Sequence, residues 1–354
     1  MGPEAIALGL DTFGDVSRRP DGRRVSEAEA LRDVVEEGVL AEQVGLEHFA
    51  LGEHHREDMP ASAPDVVLAA IASRTERIHV GSAVTVLSSD DPVRVFERYS
   101  TLNAISGGRA DVILGRGSTI ESFPLFGYDL DDYELLFEEK LDLFVRLLEG
   151  PRVTWTGSTR PSLLDQRIVP ELEGALSTWV GVGGSPDSVR RAARHGLPLM
   201  LAIIGGSPAR FAPLAELYRS ELERLEKPSR PIGVHSPGHV AETDREARDQ
   251  FWPHYAEVMG RVAVERGFAP PTRESFAREI GPHGALYVGA PETVAHKIVA
   301  TLDTLGATRF DLKYGMGDLP HDSLMRAIEL YGTQVAPLVR ETVGQRSGAR
   351  AAAR

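Results

Sequence analysis

The chain has 354 residues, with 39 lysines and arginines against 52 aspartates and glutamates, a net charge of −13 at pH 7. That balance argues against a broad nucleic-acid or anionic-membrane surface, although a local basic pocket is compatible with it. The chain contains no cysteine, which excludes disulfides, thiolate metal sites and cysteine nucleophiles. No apolar run is long enough to span a membrane, and the N-terminus lacks a basic region followed by an apolar core, so a cytoplasmic protein is expected.

Short apolar runs alternate with longer helical patterns. AIALGL (5–10) reads as the first strand. SEAEALRDVVEEGVLAEQVG (26–45) reads as a helix opened by Ser26 with Glu29 three residues on, the pattern of a capping box. LEHFAL (46–51) is the second strand and DVVLAAIASR the helix after it. RIHVGSAVTV (77–86) is the third strand, followed by PVRVFERYSTLNAIS with proline at the helix start. ADVILG (110–115) is the fourth, and a long helix is expected over 131–150. Residues 151–176 break this rhythm, and RVTWTG within them suggests a short hairpin. STWVGVGG, LPLMLAII and PIGVHSPGHVAE are the fifth to seventh strands, the last with a bend expected at Pro237. The helix over 244–265 is expected to be interrupted at Pro253, and residues 266–290 read as a loop-rich insertion suited to a lid. RFDLKYG (309–315) is the eighth strand, and the helix over 321–341 closes the set.

Eight strands, each followed by helical material, is the count of a (β/α)8 TIM barrel, here with an excursion after strand 4 and an insertion before strand 8. An open doubly wound sheet requires a G-x-G-x-x-G turn after the first strand, which is missing. Residues 1–343 form one domain on this reading, and the small basic tail 344–354 is expected to be disordered.

In such a barrel the chemistry lies at the C-terminal strand ends. In VGGSPDSVRRAARHG, glycines precede a helix start carrying Ser185 and Ser188, a place where free N–H groups and the helix dipole bind anions; an ordinary N-cap explains the same residues. Arg116 ends an apolar strand between Gly115 and Gly117 and can fork onto a phosphate. Arg109 precedes that strand and is expected to be structural. Glu53, His54 and His55 follow strand two. Neighbours on a strand point to opposite faces, so the two histidines cannot readily share a metal, and one is expected to face the barrel mouth as a hydrogen-bonding or acid–base group. His235 and His239, with His54 or His55 and Asp311, are the ligands a rival metal-dependent hydrolase would use. No convincing metal-ligand set is otherwise read at the strand ends.

LGEHHRED, RIHVGSAVTVLSSDDPVRVFERYSTLNAISGGRADVILGRGS, VGVGGSPDSVRRAARHGLPLML and VGAPETVAHKIVATL, in this order, resemble the bacterial-luciferase-like flavin-dependent monooxygenases. The resemblance runs from about residue 5 to residue 340. It implies a barrel that binds reduced FMN, with Arg116, Gly184, Ser185 and Ser188 on the phosphate. It places Ser82, Ala83 and Val84 beside the flavin ring, with a cis peptide at Ala83–Val84. His54 is implied to stabilise or protonate the reactive oxygen species at the flavin, and Glu53 to shape the pocket. The partners implied are O2, a small organic substrate, a flavin reductase and a second copy of the chain. Some relatives use a deazaflavin, and a non-catalytic flavin-binding subunit is a further alternative. The chain departs from luciferase in having Gly184 where luciferase has an acid, and Gly115 where luciferase has a cysteine; the missing thiol argues against light emission.

Overall fold

The computed structural model describes residues 6–117 and 121–352. Eight parallel positions close a barrel: β1 (Ala7–Thr12), β2 (His48–Leu51), β3 in two pieces (His79–Ser82 and Thr85–Val86), β4 (Ala110–Gly115), β5 (Ser177–Val182), β6 (Leu199–Ala202), β7 (Ile232–Val240) and β8 (Arg309–Lys313). Closure comes from β8, which pairs with β1 on one side and β7 on the other. The helices outside it are α1 (Glu27–Gln43), α2 (Pro64–Ala72), α3 (Pro92–Ser106), α4 (Tyr133–Leu148), α5 (Pro186–His195), α6 (Ala212–Arg224), α7 (Pro291–Leu305) and α8 (His321–Leu330). The capping box on α1 forms as expected, with Ser26 accepting from the Glu29 N–H and the Glu29 carboxylate accepting from the Ser26 N–H.

Strand alternation divides the interior in two. Leu8, Leu10, Phe49, Leu51, Val80, Val112, Leu114, Phe310 and Leu312 point outward into the main apolar core beneath the helices. The alternate positions fill the barrel itself, and they are unusual for a core. Ile113, Trp179 and Met200 form a small apolar cluster with Ala83 and Val84. Beside it runs a polar chain in which Arg309 Nη1 donates to Asp111 at 2.9 Å while Nε and Nη2 donate to Asp311 at 2.8–3.0 Å. Burial alone would lower the Arg309 pKa, but the two carboxylates outweigh it and raise it, so the guanidinium stays charged.

Four local expectations change. The third strand is broken at Ala83–Val84, where the peptide bond is cis. Strand β7 runs without a break through Pro237, whose residue partner is Lys313. The helix Asp244–Arg266 is continuous through Pro253. The stretch read as a loop-rich lid instead holds a helix, Arg273–Ile280, and a short strand, Tyr287–Gly289, that pairs with the end of β7. That helix is anchored by Phe276 against Phe251, Trp252 and Tyr255, so only Arg266, at the end of the preceding helix, lines the cavity described below. The hairpin expected after strand 4 is present as the antiparallel pair Arg152–Trp155 and Leu163–Arg167. After α8 a π turn, Tyr331–Val335, leads into a helix Ala336–Ala352. Among the described residues no helix is long and apolar enough to cross a membrane.

Candidate active site

The C-terminal strand ends enclose a cavity of about 470 Å³. Of the residues the resemblance assigns to the site, Glu53, His54, Ala83, Val84, Arg116 and Ser185 line it, and so do His235 and Asp311 of the rival metal set. Ser82, Gly184 and Ser188 are not among its lining residues. Ser82 is fully buried and acts as a brace, its Oγ donating to the Ile113 carbonyl at 3.2 Å and accepting from the Ile113 N–H at 3.1 Å.

The two adjacent histidines lie in the loop after β2 and face apart. His54 is 5 % exposed and points into the cavity, its ring 4.6 Å from that of Phe13. Its Nδ1 lies 3.1 Å from a Glu121 carboxylate oxygen. A carboxylate accepts, so Nδ1 carries the proton and Nε2 is left for chemistry. His55 instead lines a second cavity of about 360 Å³, edge-on to Phe126 with ring centres 5.0 Å apart. Glu53 stands between the two cavities. It bonds His55 Nε2 at 3.2 Å and accepts from the Val86 N–H at 2.9 Å, while its own N–H donates to the Val84 carbonyl at 3.2 Å. These contacts make Glu53 a brace for the backbone just after the cis peptide. The close approach at that peptide depends on Gly115, since a Cβ there would meet Val84 Cγ2 at 2.5 Å.

At the other end of the cavity, Arg116 stacks over the Tyr133 ring at 4.8 Å and pairs with Glu134. Glu134 is well exposed and also holds Arg191 at 3.0 Å. Facing Arg116 is the start of α5. Gly184 has a φ of +129°, which favours glycine, and the Cβ a larger residue would add at Gly183 or Gly184 meets nothing within 4 Å. Ser185 caps the helix through a long 3.4 Å bond from the Ser188 N–H, and Ser188 Oγ is buried without a partner. Arg109, by contrast, is the structural group it was expected to be, donating to the Ala72, Thr75, Ile78 and Ser106 carbonyls.

On the cavity floor His235, named in the sequence only as a possible metal ligand, pairs with Asp11, which the sequence did not single out. His235 Nδ1 lies 2.7 Å from Asp11 Oδ2, and Asp11 Oδ1 is buried without a partner. Burial raises the Asp11 pKa. Burial would lower that of His235, but Asp11 outweighs it and the imidazole is raised. The two residues form one buried, closely coupled pair. Glu121, Phe13 and Tyr133 were also missed. The rival metal set does not assemble among the described residues. His239 is turned away, bonding Gln250 at 2.7 Å and stacking on Phe251, while His54 and His235 are engaged with Glu121 and Asp11.

The luciferase-like monooxygenase family model matches residues 15–309. Limonene 1,2-monooxygenase of Rhodococcus erythropolis is 26% identical over 318 residues, covering 86% of this chain and 80% of that protein. Among solved structures, the oxygenating constituent of 3,6-diketocamphane monooxygenase from Pseudomonas putida, a type II Baeyer–Villiger enzyme in complex with FMN, superposes with a TM-score of 0.72 at 18% identity, covering 94% of this chain and 98% of that one. An F420-dependent secondary alcohol dehydrogenase in complex with an F420–acetone adduct does so with a TM-score of 0.74 at 16% identity, covering 95% and 99%. These two likenesses speak to the fold, and the family match extends over most of the barrel: the chain belongs to the luciferase-like monooxygenases.

Proposed function

We propose that this chain is a flavin-dependent monooxygenase that uses reduced FMN and O2 to oxidise a small organic substrate. The observation that carries the reading is the division of one cavity into two chemically distinct ends. One end has Arg116, Ser185 and an open helix start, a donor set suited to a phosphate. The other has an apolar bed of Ala83, Val84, Ile113 and Met200 with His54 beside it.

The residues present fit FMN. Nothing occupies the space over Gly183 and Gly184, the first-turn N–H groups of α5 have no intrahelical acceptor, and Ser188 Oγ is an unpartnered hydroxyl just behind them. Glu134 is the competitor: an arriving phosphate must take Arg116 from it, and Glu134 keeps Arg191 when it yields. Gly184, Ser185 and Ser188 would hold the phosphate through backbone and hydroxyl donors. Reduced flavin, when bound, supplies the electrons with which dioxygen oxidises the substrate. His54, oriented by Glu121, holds or delivers a proton through Nε2 at the apolar end. Phe13 fixes the imidazole, and Glu53 holds the backbone at Ala83–Val84. The apolar bed excludes water from the reacting centre. Reduced flavin delivered by a separate reductase, a homodimer and a cytoplasmic setting belong to the same proposal.

The test is to mix the protein with reduced FMN without oxygen, then add O2 and follow flavin oxidation. The expected result is a protein-bound reduced FMN whose reoxidation differs in rate and course from that of free FMN. Binding of a reduced deazaflavin alone, with FMN reoxidation unchanged, would assign the cavity to hydride transfer and overturn the monooxygenase reading.

A further inference from the structure

We infer that the opposite, N-terminal mouth of the barrel carries a divalent transition-metal site made by His48, His79 and Asp111. The inference is independent of the flavin reading, since none of the three residues lines the cavity.

The placement follows from register. His48 and His79 open β2 and β3 and are direct partners across the two strands, while Asp111 pairs with Gly81 on the next. All three therefore point to the inside at one level of the barrel. Their ligand atoms lie within 4.8 Å of one another. Two glycines make room for them: a Cβ at Gly81 would meet Asp111 Cβ at 2.7 Å, and one at Gly9 would meet His48 Cβ at 2.7 Å.

Two ligand atoms have only a long contact with each other. Asp111 Oδ2 is bonded by His48 Nδ1 at 2.8 Å and by Arg309 at 2.9 Å, but Asp111 Oδ1 is buried and makes no hydrogen bond. His79 Nδ1 is likewise buried and makes none. These two atoms face each other across 3.4 Å. Metal–nitrogen and metal–oxygen bonds of about 2.0–2.1 Å in a tetrahedron set ligand atoms about 3.3–3.4 Å apart, so this edge is already the right length. Arg309 divides one positive charge between Asp111 and Asp311, leaving a carboxylate charge in excess beside the two imidazoles. Its bond to Oδ2 also fixes the orientation of the Asp111 carboxylate, as outer-shell partners of metal ligands do. The side chains of His48 and His79 are 15% and 40% exposed, which gives the ion an entry path and a position for water. Two imidazoles and one carboxylate select Zn²⁺, Co²⁺ or Ni²⁺ over the oxygen-seeking Mg²⁺ and Ca²⁺. Bound there, the ion ties β2, β3 and β4 together at the floor of the barrel.

Co²⁺ is the probe. Chelator-treated protein dialysed against Co²⁺ is expected to take up one tightly held equivalent with visible d–d absorption. His79→Ala loses both the equivalent and the absorption, whereas the double variant His54→Ala/His55→Ala keeps them. Zn²⁺ displaces the Co²⁺ and raises the thermal midpoint of the wild type but not of His79→Ala. No stoichiometric uptake, or uptake that survives in His79→Ala, overturns the inference. Should circular dichroism show that His79→Ala has lost its fold, His79→Asn is measured in its place with the same two outcomes.

Discussion

At the residue scale, Phe13 lies between the two histidines of the cavity, its ring centre 4.6 Å from that of His54 and 6.2 Å from that of His235. The two imidazoles have different partners and so different tasks. His54 is held by Glu121, at the edge of the cavity. His235 is tied to Asp11 on the buried floor. His54 was legible in the sequence because an acid and two histidines adjoin at a strand end. The Asp11–His235 pair was not, because its members lie 224 positions apart and meet only when the barrel closes. With reduced FMN and substrate supplied, His54→Ala is expected to lower product formed per flavin oxidised by about a hundredfold, the low end of what a positioned acid or base contributes. FMN affinity should change little. Coupled turnover at the wild-type level in that variant would remove His54 from the chemistry.

At the element scale, the strands that meet at the cis peptide carry the site. The fourth strand was legible to the residue, since ADVILG is a short run, apolar but for Asp111, between turn residues. The third is two strands where its sequence predicts one, because nothing in RIHVGSAVTV announces a cis bond except the family likeness. Most strands alternate inward polar and outward apolar side chains. Read as apolar runs, they conceal the polar chain through Asp111, Arg309 and Asp311. The lid was misjudged because proline and glycine in 266–290 flank a short capped helix and do not dissolve it: Thr272 and Ser275 close a capping box there. Packing of Val84 into the groove over β4 leaves no room for a Cβ at Gly115, which would meet Val84 Cγ2 at 2.5 Å. Gly115→Ala is expected to destabilise the fold by about 1–3 kcal/mol in urea denaturation, the usual cost of forcing atoms into a filled core. Unchanged stability in that variant would show that the Val84 side chain can move aside.

At the scale of the whole molecule, eight strand–helix units, visible as a count in the sequence, give a barrel with a candidate site at each mouth. Its acid sensitivity can be worked out from one buried group. His195, on α5, is half-buried with an unpartnered Nε2; burial first, and then nearby Arg194, push its pKa down to about 4. The unfolded chain takes up that proton near the ordinary value of 6.5, whereas the folded chain does not until near 4. Stability is therefore lost as pH falls through this window. Between pH 7 and pH 5 the wild type should lose about 1 kcal/mol more than His195→Gln, after allowance for partial solvent screening. Equal losses in urea titrations at the two pH values would contradict this.

The central claim is that the mouth at the strand C-termini grips a flavin by its phosphate. Its most direct test is a pair of titrations, FMN against phosphate-free riboflavin, on the wild type and on Arg116→Ala. The expected result is that the wild type prefers FMN strongly and that Arg116→Ala loses about 10–100-fold in FMN affinity, the worth of a charge-assisted hydrogen bond, with riboflavin affinity nearly unchanged. A wild type that binds FMN no better than riboflavin, or an Arg116→Ala protein that binds FMN as tightly as the wild type, would contradict it.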